Sequence, residues 1–207
     1  MSIGQQAFEL IAQTLRDKPA ANLMLATGST MMPVYALLRE AGLDLDFSLV
    51  KTFNLDEYYP GNQFREFMDA QLFSHVNIDA SNVHFPTTDY DEVIAAAGGI
   101  DLCLLGIGVN GHIAFNEPGS SVDSRTRVVE LDESTRVRNS QLSNGADIPQ
   151  RAISVGIATI LDCKKIVVLA NGADKTSAAH EARYSDISDK CPASFLQTHA
   201  DVTWLVS

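Results

Sequence analysis

Ile100-Asp-Leu-Cys-Leu-Leu105 runs directly into Gly106-Ile-Gly-Val-Asn-Gly-His-Ile-Ala-Phe-Asn-Glu-Pro118. The apolar run reads as a buried strand, and Gly106 and Gly108 permit a tight turn behind it. The same arrangement recurs along the chain. Asn22–Ala26 is apolar and ends in Thr27-Gly28-Ser29-Thr30, Leu49–Phe53 ends in Asn54-Leu-Asp-Glu-Tyr58, and Lys165–Ala170 ends in Asn171-Gly-Ala-Asp-Lys175. Asp201–Val206 closes the chain as a further strand. Between the strands lie helical patterns. Ile3, Ala7, Ile11 and Leu15 form a stripe at four-residue spacing, Pro33 opens a second helix, residues 64–75 read as helical, and Ala178, Ala179 and Ala182 mark a helix after Lys175. Ala152–Gly156 is expected to open one more helix, running to Leu161. Short, fully apolar strands alternating with helices predict an α/β fold with a mostly parallel, Rossmann-like sheet covered on both faces. Residues 1–207 read as one domain, with a flap expected around residues 119–150.

Composition narrows the function classes. Hydrophobic residues make up 45% and charged residues 20% of 207 residues, which is globular. A net charge of −11 argues against nucleic acid as a partner, although a small anion needs only a few local donors. Cys103, Cys163 and Cys191 are odd in number and far apart, against a disulfide framework or a zinc site. No apolar run is long enough to span a bilayer, and residues 1–6 lack the pattern of a secretory signal, so no membrane partner and a cytoplasmic location are expected.

In a parallel sheet, ligands sit beyond the carboxyl ends of the strands, where four polar loops are expected here. Thr27–Thr30 offers glycine freedom, hydroxyl donors and a helix start, which suits a phosphate; the same residues also suit a helix cap with no ligand. Lys175 beside a helix start suits a phosphate as well, or is a solvated lysine. Asp56 is placed for proton abstraction from carbon, against the alternatives of a capping aspartate or a surface acid pair with Glu57. His112, with Asn110, Asn116 and Glu117 nearby, matches a proton shuttle in which an acid sets the tautomer of the imidazole. No second His or Cys stands at metal-ligand spacing. Arg125, Arg127, Arg136 and Arg138 alternate with hydroxyls and acids; such a run is a solvated face or the lining of a flap over an anion.

At these residues the chain resembles the glucosamine-6-phosphate deaminase (isomerase) family. The resemblance runs from about Asn22 to the C-terminus on Leu25–Thr30, Thr52–Tyr58, Leu105–Pro118, Ser124–Arg127 and Pro192–Ser194. Related 6-phosphogluconolactonases keep a similar glycine–His turn but lack the Asn116-Glu117-Pro118 ending. The resemblance implies that Asp56 moves a proton between C2 and C1 of the opened sugar. His112 would assist ring opening, with Glu117 and Asn110 orienting it. Thr27, Gly28, Ser29, Thr30 and Lys175 would hold the phosphate. It also implies a sugar-phosphate substrate, fructose 6-phosphate and ammonia as products, and no metal or organic cofactor. Galactosamine 6-phosphate is the alternative substrate, and a non-catalytic sugar-phosphate sensor is the alternative class. Family members range from monomers to hexamers, so a homo-oligomer is open.

The chain departs from the family pattern in places. Asn110 stands where many members have Asp, which implies a retuned His112. Gln141 stands near a frequent flap arginine, whose charge Arg136 or Arg138 would have to replace. Val129 and Glu130 replace the Lys-Thr pair of allosteric members, against activation by an amino-sugar phosphate. Tyr59–Asn62 and Pro86–Gly98 are contracted, and no strand precedes the first helix.

Overall fold

The computed structural model describes residues 1–131, Glu133, Arg136 and 148–207. Helix α1 (Ile3–Asp17) starts at Ser2, whose side chain accepts the Gln5 N–H, and buries Ala7, Ile11 and Leu15 as the spacing predicts. Strand β1 (Asn22–Leu25) follows, then α2 (Met32–Ala41) with Pro33 in its first turn, where its missing N–H costs nothing. Next come β2 (Lys51–Asn54), β3 (Asp56–Tyr59), α3 (Gln63–Gln71), β4 (Val83–His84), α4 (Tyr90–Ala96) and β5 (Leu102–Gly106). The second half holds β6 (Arg127–Glu130), β7 (Arg151–Ser154), α5 (Ile157–Leu161), β8 (Ile166–Ala170), α6 (Ala173–Tyr184) and β9 (Val202–Val206).

Six strands form one parallel sheet in the order β4-β2-β1-β5-β8-β9. Successive side chains of a strand point to opposite faces, and every residue of β1 and β8 is buried, so both faces are covered. Leu102, Cys103, Leu104 and Leu105 are all 0% exposed, which makes β5 the centre of the core. The strand order reverses at the middle of the sheet. From β1 the chain winds outward through β2 to β4, then crosses to β5 and winds the other way to β9. The crevice between the ends of β1 and β5 is therefore the topological switch point, where an open α/β sheet takes its ligand.

Two features differ from the expectation. A second, antiparallel sheet of three strands, β3-β7-β6, stands beside the first. Its central strand is Arg151–Ser154, which takes up most of the Ala152–Gly156 stretch expected to open a helix, and the helix that ends at Leu161 starts only at Ile157. Its partners lie far off in sequence: Asp56–Tyr59 on one side and Arg127–Glu130 on the other. Four residues of mixed pattern carry no periodicity that separates strand from helix, and pairing across such distances decides it. Arg127–Glu130, within the expected flap, is thus a strand, while Arg138 and Gln141 lie outside the described residues.

Leu104 sits between β1 and β8 with no exposed surface. Leu104→Ala is expected to destabilise the protein by about 2–5 kcal/mol through lost burial and a residual cavity. A lowered midpoint with an unchanged slope in urea denaturation checks this.

Candidate active site

The loop after β5 is built around His112. The Gly108 N–H donates to His112 O at 2.9 Å, closing the turn. The imidazole lies so close over Gly108 that a Cβ there would stand 2.2 Å from its ring, so this position excludes any side chain. Gly111 has φ +80° and abuts Cys191, and its carbonyl accepts the Ala193 N–H at 2.8 Å. The segment around Pro192–Ser194 therefore braces the His112 turn from behind.

Three polar side chains of this loop form a chain. Asn110 Nδ2 donates to Glu117 Oε2 at 2.7 Å, and Asn110 Oδ1 lies 2.6 Å from His112 Nδ1. Glu117 Oε1 is 3.5 Å from the same Nδ1. An amide that donates through Nδ2 offers only an acceptor at Oδ1, so the network assigns the proton to His112 Nδ1 and leaves Nε2 as the basic nitrogen of the ring. His112 and Glu117 are 25% and 26% exposed, open enough to meet a ligand. Asn116 faces inward instead. Its amide donates to Ile113 O and Val155 O, both at 2.9 Å, and its Oδ1 accepts from Arg127 Nη1 at 2.9 Å.

Asp56 is 8% exposed at the point where β2 passes into β3. Burial, with the neighbouring Glu57 charge adding to it, pushes its carboxyl up to about 7. Asp56 is therefore neither a capping residue nor part of a surface acid pair. The capping role falls to Glu57, which is 5% exposed and accepts backbone N–H groups from Tyr58, Phe64 and Arg65 at 2.8, 3.0 and 2.9 Å. The antiparallel sheet sets Asp56, Ser154 and Arg127 in one row across three strands. Ser154 Oγ accepts the Phe115 N–H at 3.1 Å. The same β7 residue therefore pairs with Asp56 and holds the His112 loop.

The two loops suited to phosphate also meet. Lys175, in the first turn of α6, donates from Nζ to Thr30 Oγ1 at 2.9 Å, across 145 residues of sequence. Burial pulls the Lys175 ammonium below the usual lysine range. Gly28 takes φ +112°, and Gly28 and Ser29 are exposed beside the half-buried Thr27 and Thr30. No side chain caps α2, so the hydroxyls of Thr27–Thr30 are not consumed as helix caps.

Arg125 pairs with Asp162, just past the end of α5, and lies 3.8 Å from Asp91 on α4, so it is a structural clamp. Arg136 Nε donates to Ile148 O at 3.1 Å. Among the described arginines of this cluster, Arg127 is the one bonded to the loop after β5, and burial lowers its guanidinium below the usual range. Ser154 and the capping role of Glu57 were not anticipated. Ser154 lies in a segment misread as helix, and an acid that caps a helix six residues ahead leaves no local pattern.

The fold and site define a parallel α/β protein with a His–amide–carboxylate chain and a lysine-bound hydroxyl loop at its switch point, groups suited to a small anionic ligand. The chain belongs to the family of glucosamine-6-phosphate isomerases/6-phosphogluconolactonase, whose model matches residues 1–204. It is 40% identical over 224 aligned positions to a glucosamine-6-phosphate deaminase of Pseudoalteromonas translucida, covering 99% of this chain and 84% of that one. It is 46% identical over 210 positions to glucosamine-6-phosphate deaminase 1 of Giardia intestinalis, covering 91% and 78%. Among solved structures, a monomeric glucosamine-6-phosphate deaminase superposes with a TM-score of 0.91 at 36% identity, covering 99% of this chain and 92% of that one. The 6-phosphogluconolactonase of Thermotoga maritima shares the fold, with a TM-score of 0.76 at 21% identity, covering 100% and 96%. No helix among the described residues is long and apolar enough to cross a membrane.

The carboxyl of Asp56 is raised above its unfolded value of 3.8, so the native state binds this proton more tightly than the unfolded chain does. Its contribution to stability therefore falls as pH climbs from about 4 through about 7. Asp56→Asn, which cannot ionise, is expected to be more stable than the parent above pH 7, by on the order of 4 kcal/mol. The gain should vanish toward pH 4, and urea denaturation across that range checks it.

Proposed function

We infer that the protein converts glucosamine 6-phosphate and water to fructose 6-phosphate and ammonia. The observation that carries this is that Ser154 of β7 pairs with Asp56 and holds the loop of His112, so that one strand supports a buried carboxyl and an imidazole oriented through Asn110 and Glu117. An aldose–ketose conversion needs one group to open the ring and another to carry a proton between adjacent carbons. A base works best when its pKa lies near the working pH. The family membership and the deaminases at 40% and 46% identity support the same reaction.

In this reading, Thr27, Gly28, Ser29, Thr30 and Lys175 hold the phosphate. Backbone N–H groups and hydroxyls direct the anion, and the ammonium supplies the charge. His112 Nε2 takes the proton of the C1 hydroxyl as the ring opens and returns it to the ring oxygen. Asp56 removes the C2 proton and delivers it to C1 while a proton passes from the C2 amine to the C1 oxygen, so that C1 becomes a CH2OH group and the amine an imine. Water adds to that carbon, and ammonia leaves. Glu117 and Asn110 keep the imidazole in the Nδ1–H tautomer. Glu117 Oε1 also lies 3.5 Å from Nδ1, so the carboxylate acts on the imidazole directly as well as through Asn110. The reaction as written needs no metal or organic cofactor.

Purified protein is expected to release ammonia and form fructose 6-phosphate from glucosamine 6-phosphate, at higher kcat/KM than from the galactosamine epimer. Coupled assays on both epimers measure this, and a preference for the galacto compound would reassign the substrate. Asp56→Asn is expected to cut kcat at least about 10³-fold while the sugar phosphate still binds in calorimetry. Binding without turnover by the parent protein would instead indicate a sensor.

A further inference from the structure

Glu57 has no step in the reaction above, yet it is buried one residue from Asp56. Oε1 accepts from Tyr58 and Phe64 at 2.8 and 3.0 Å, and Oε2 accepts from Arg65 at 2.9 Å. Phe64 and Arg65 belong to the first turn of α3, and Asn62 at its N-cap makes no side-chain cap bond. A helix start is ordinarily capped by a short polar side chain from its own N-cap residue. Here a glutamate reaches forward from the preceding strand, and its charge ends up buried beside a second acid. All three partners are donors, which is the bonding pattern of an ionised carboxylate.

We propose that Glu57 is a positioning residue of the reaction: α3 fixes its carboxylate one residue from Asp56 on the same buried strand, and that fixed charge tunes Asp56 for its step. The proposal rests on the reading of Asp56 as the proton-transfer base. Burial is the larger cause of the rise at Asp56, and the Glu57 charge is the second. The surrounding groups leave this role to Glu57. Tyr35 on α2 and Tyr90 on α4 feel the Asp56 charge, but both are fully buried phenols held in the neutral form, Tyr35 donating to Ala26 O and Tyr90 lying 3.0 Å from Asn54 O. Arg65 on α3 has its guanidinium stacked 4.3 Å over Phe85, and Arg127 on β6 is engaged with Asn116. His112 and Glu117 on the loop after β5 interact with each other and with Asn110.

The test compares pH profiles of kcat/KM and melting temperatures for the parent, Glu57→Gln, Glu57→Asp and Asp56→Asn. Glu57→Gln removes the charge and is expected to move the acidic limb down by about one pH unit, with kcat reduced because the base is weaker. Glu57→Asp keeps the charge but shortens the reach to α3; it should melt lower with its acidic limb in place. Lowered melting in both variants with neither limb moved would mean that Glu57 is only a cap and would overturn the proposal. Should Glu57→Gln fail to fold, Glu57→Asp decides alone: a limb displaced down by about a full unit with the charge retained is equally fatal. Asp56→Asn separates the two readings. If it retains turnover, the base assignment fails; if it is inactive while the Glu57→Gln limb stays put, only the role of Glu57 fails.

Discussion

Two backbone hydrogen bonds of Leu55 join the two sheets and hold the site together. Its N–H donates to Leu25 O at 3.1 Å, prolonging the parallel pairing of β2 with β1. Its carbonyl accepts the Val155 N–H at 2.8 Å, just beyond the end of β7. At this residue the chain leaves the parallel sheet and enters the antiparallel one, so Asp56 begins β3 at the carboxyl edge of the main sheet. Since β7 also receives the Phe115 N–H on Ser154 and the Asn116 amide on Val155, the same strand sets the position of the His112 loop. The two halves of the site share one rigid backbone support, which is how separate loops hold a productive geometry.

The cost of this arrangement is electrostatic. Asp56 and Glu57 are adjacent, acidic and almost fully buried. Glu57 is compensated by three N–H donors, two of them from the start of α3, whereas Asp56 keeps a carboxyl raised toward neutrality. A buried acid whose carboxyl is raised in this way is less comfortable in the folded state than a capping one, because burial withholds part of its solvation. Burial acts on Lys175 as well: its ammonium is partly desolvated and donates to Thr30 Oγ1.

Much of the fold was legible because it rests on local signals. Fully apolar strands such as Leu102–Leu105 and Ile166–Ala170, glycines at their ends, Pro33 in a first turn and the four-residue stripe of α1 report burial, turns and helix geometry without reference to the rest of the chain. The antiparallel sheet was not legible. β3, β6 and β7 are each four residues long, and paired residues lie 92 to 98 apart for β3 with β7 and 21 to 27 apart for β6 with β7, so nothing in any one segment announces the sheet. The helix expected at Ala152 failed for that reason.

The candidate site divides in the same way. The residue types at the strand ends, and so the chemistry of Asp56, Asn110, His112, Glu117, Thr27–Thr30 and Lys175, were determined by the sequence alone, because carboxylates, imidazole, glycine and hydroxyls carry their properties wherever they fall. Tertiary structure decided what those groups became. It set Lys175 against Thr30 across 145 residues, buried Asp56, turned Glu57 from a surface acid into the cap of α3, and bound Arg127 rather than Arg125 to the His112 loop. Sequence specifies which protons can move and which anions can be held. Burial and the partners gathered by a non-local fold determine at what pH and in what direction, since solvation and neighbouring charge are properties of a place in the structure rather than of a residue.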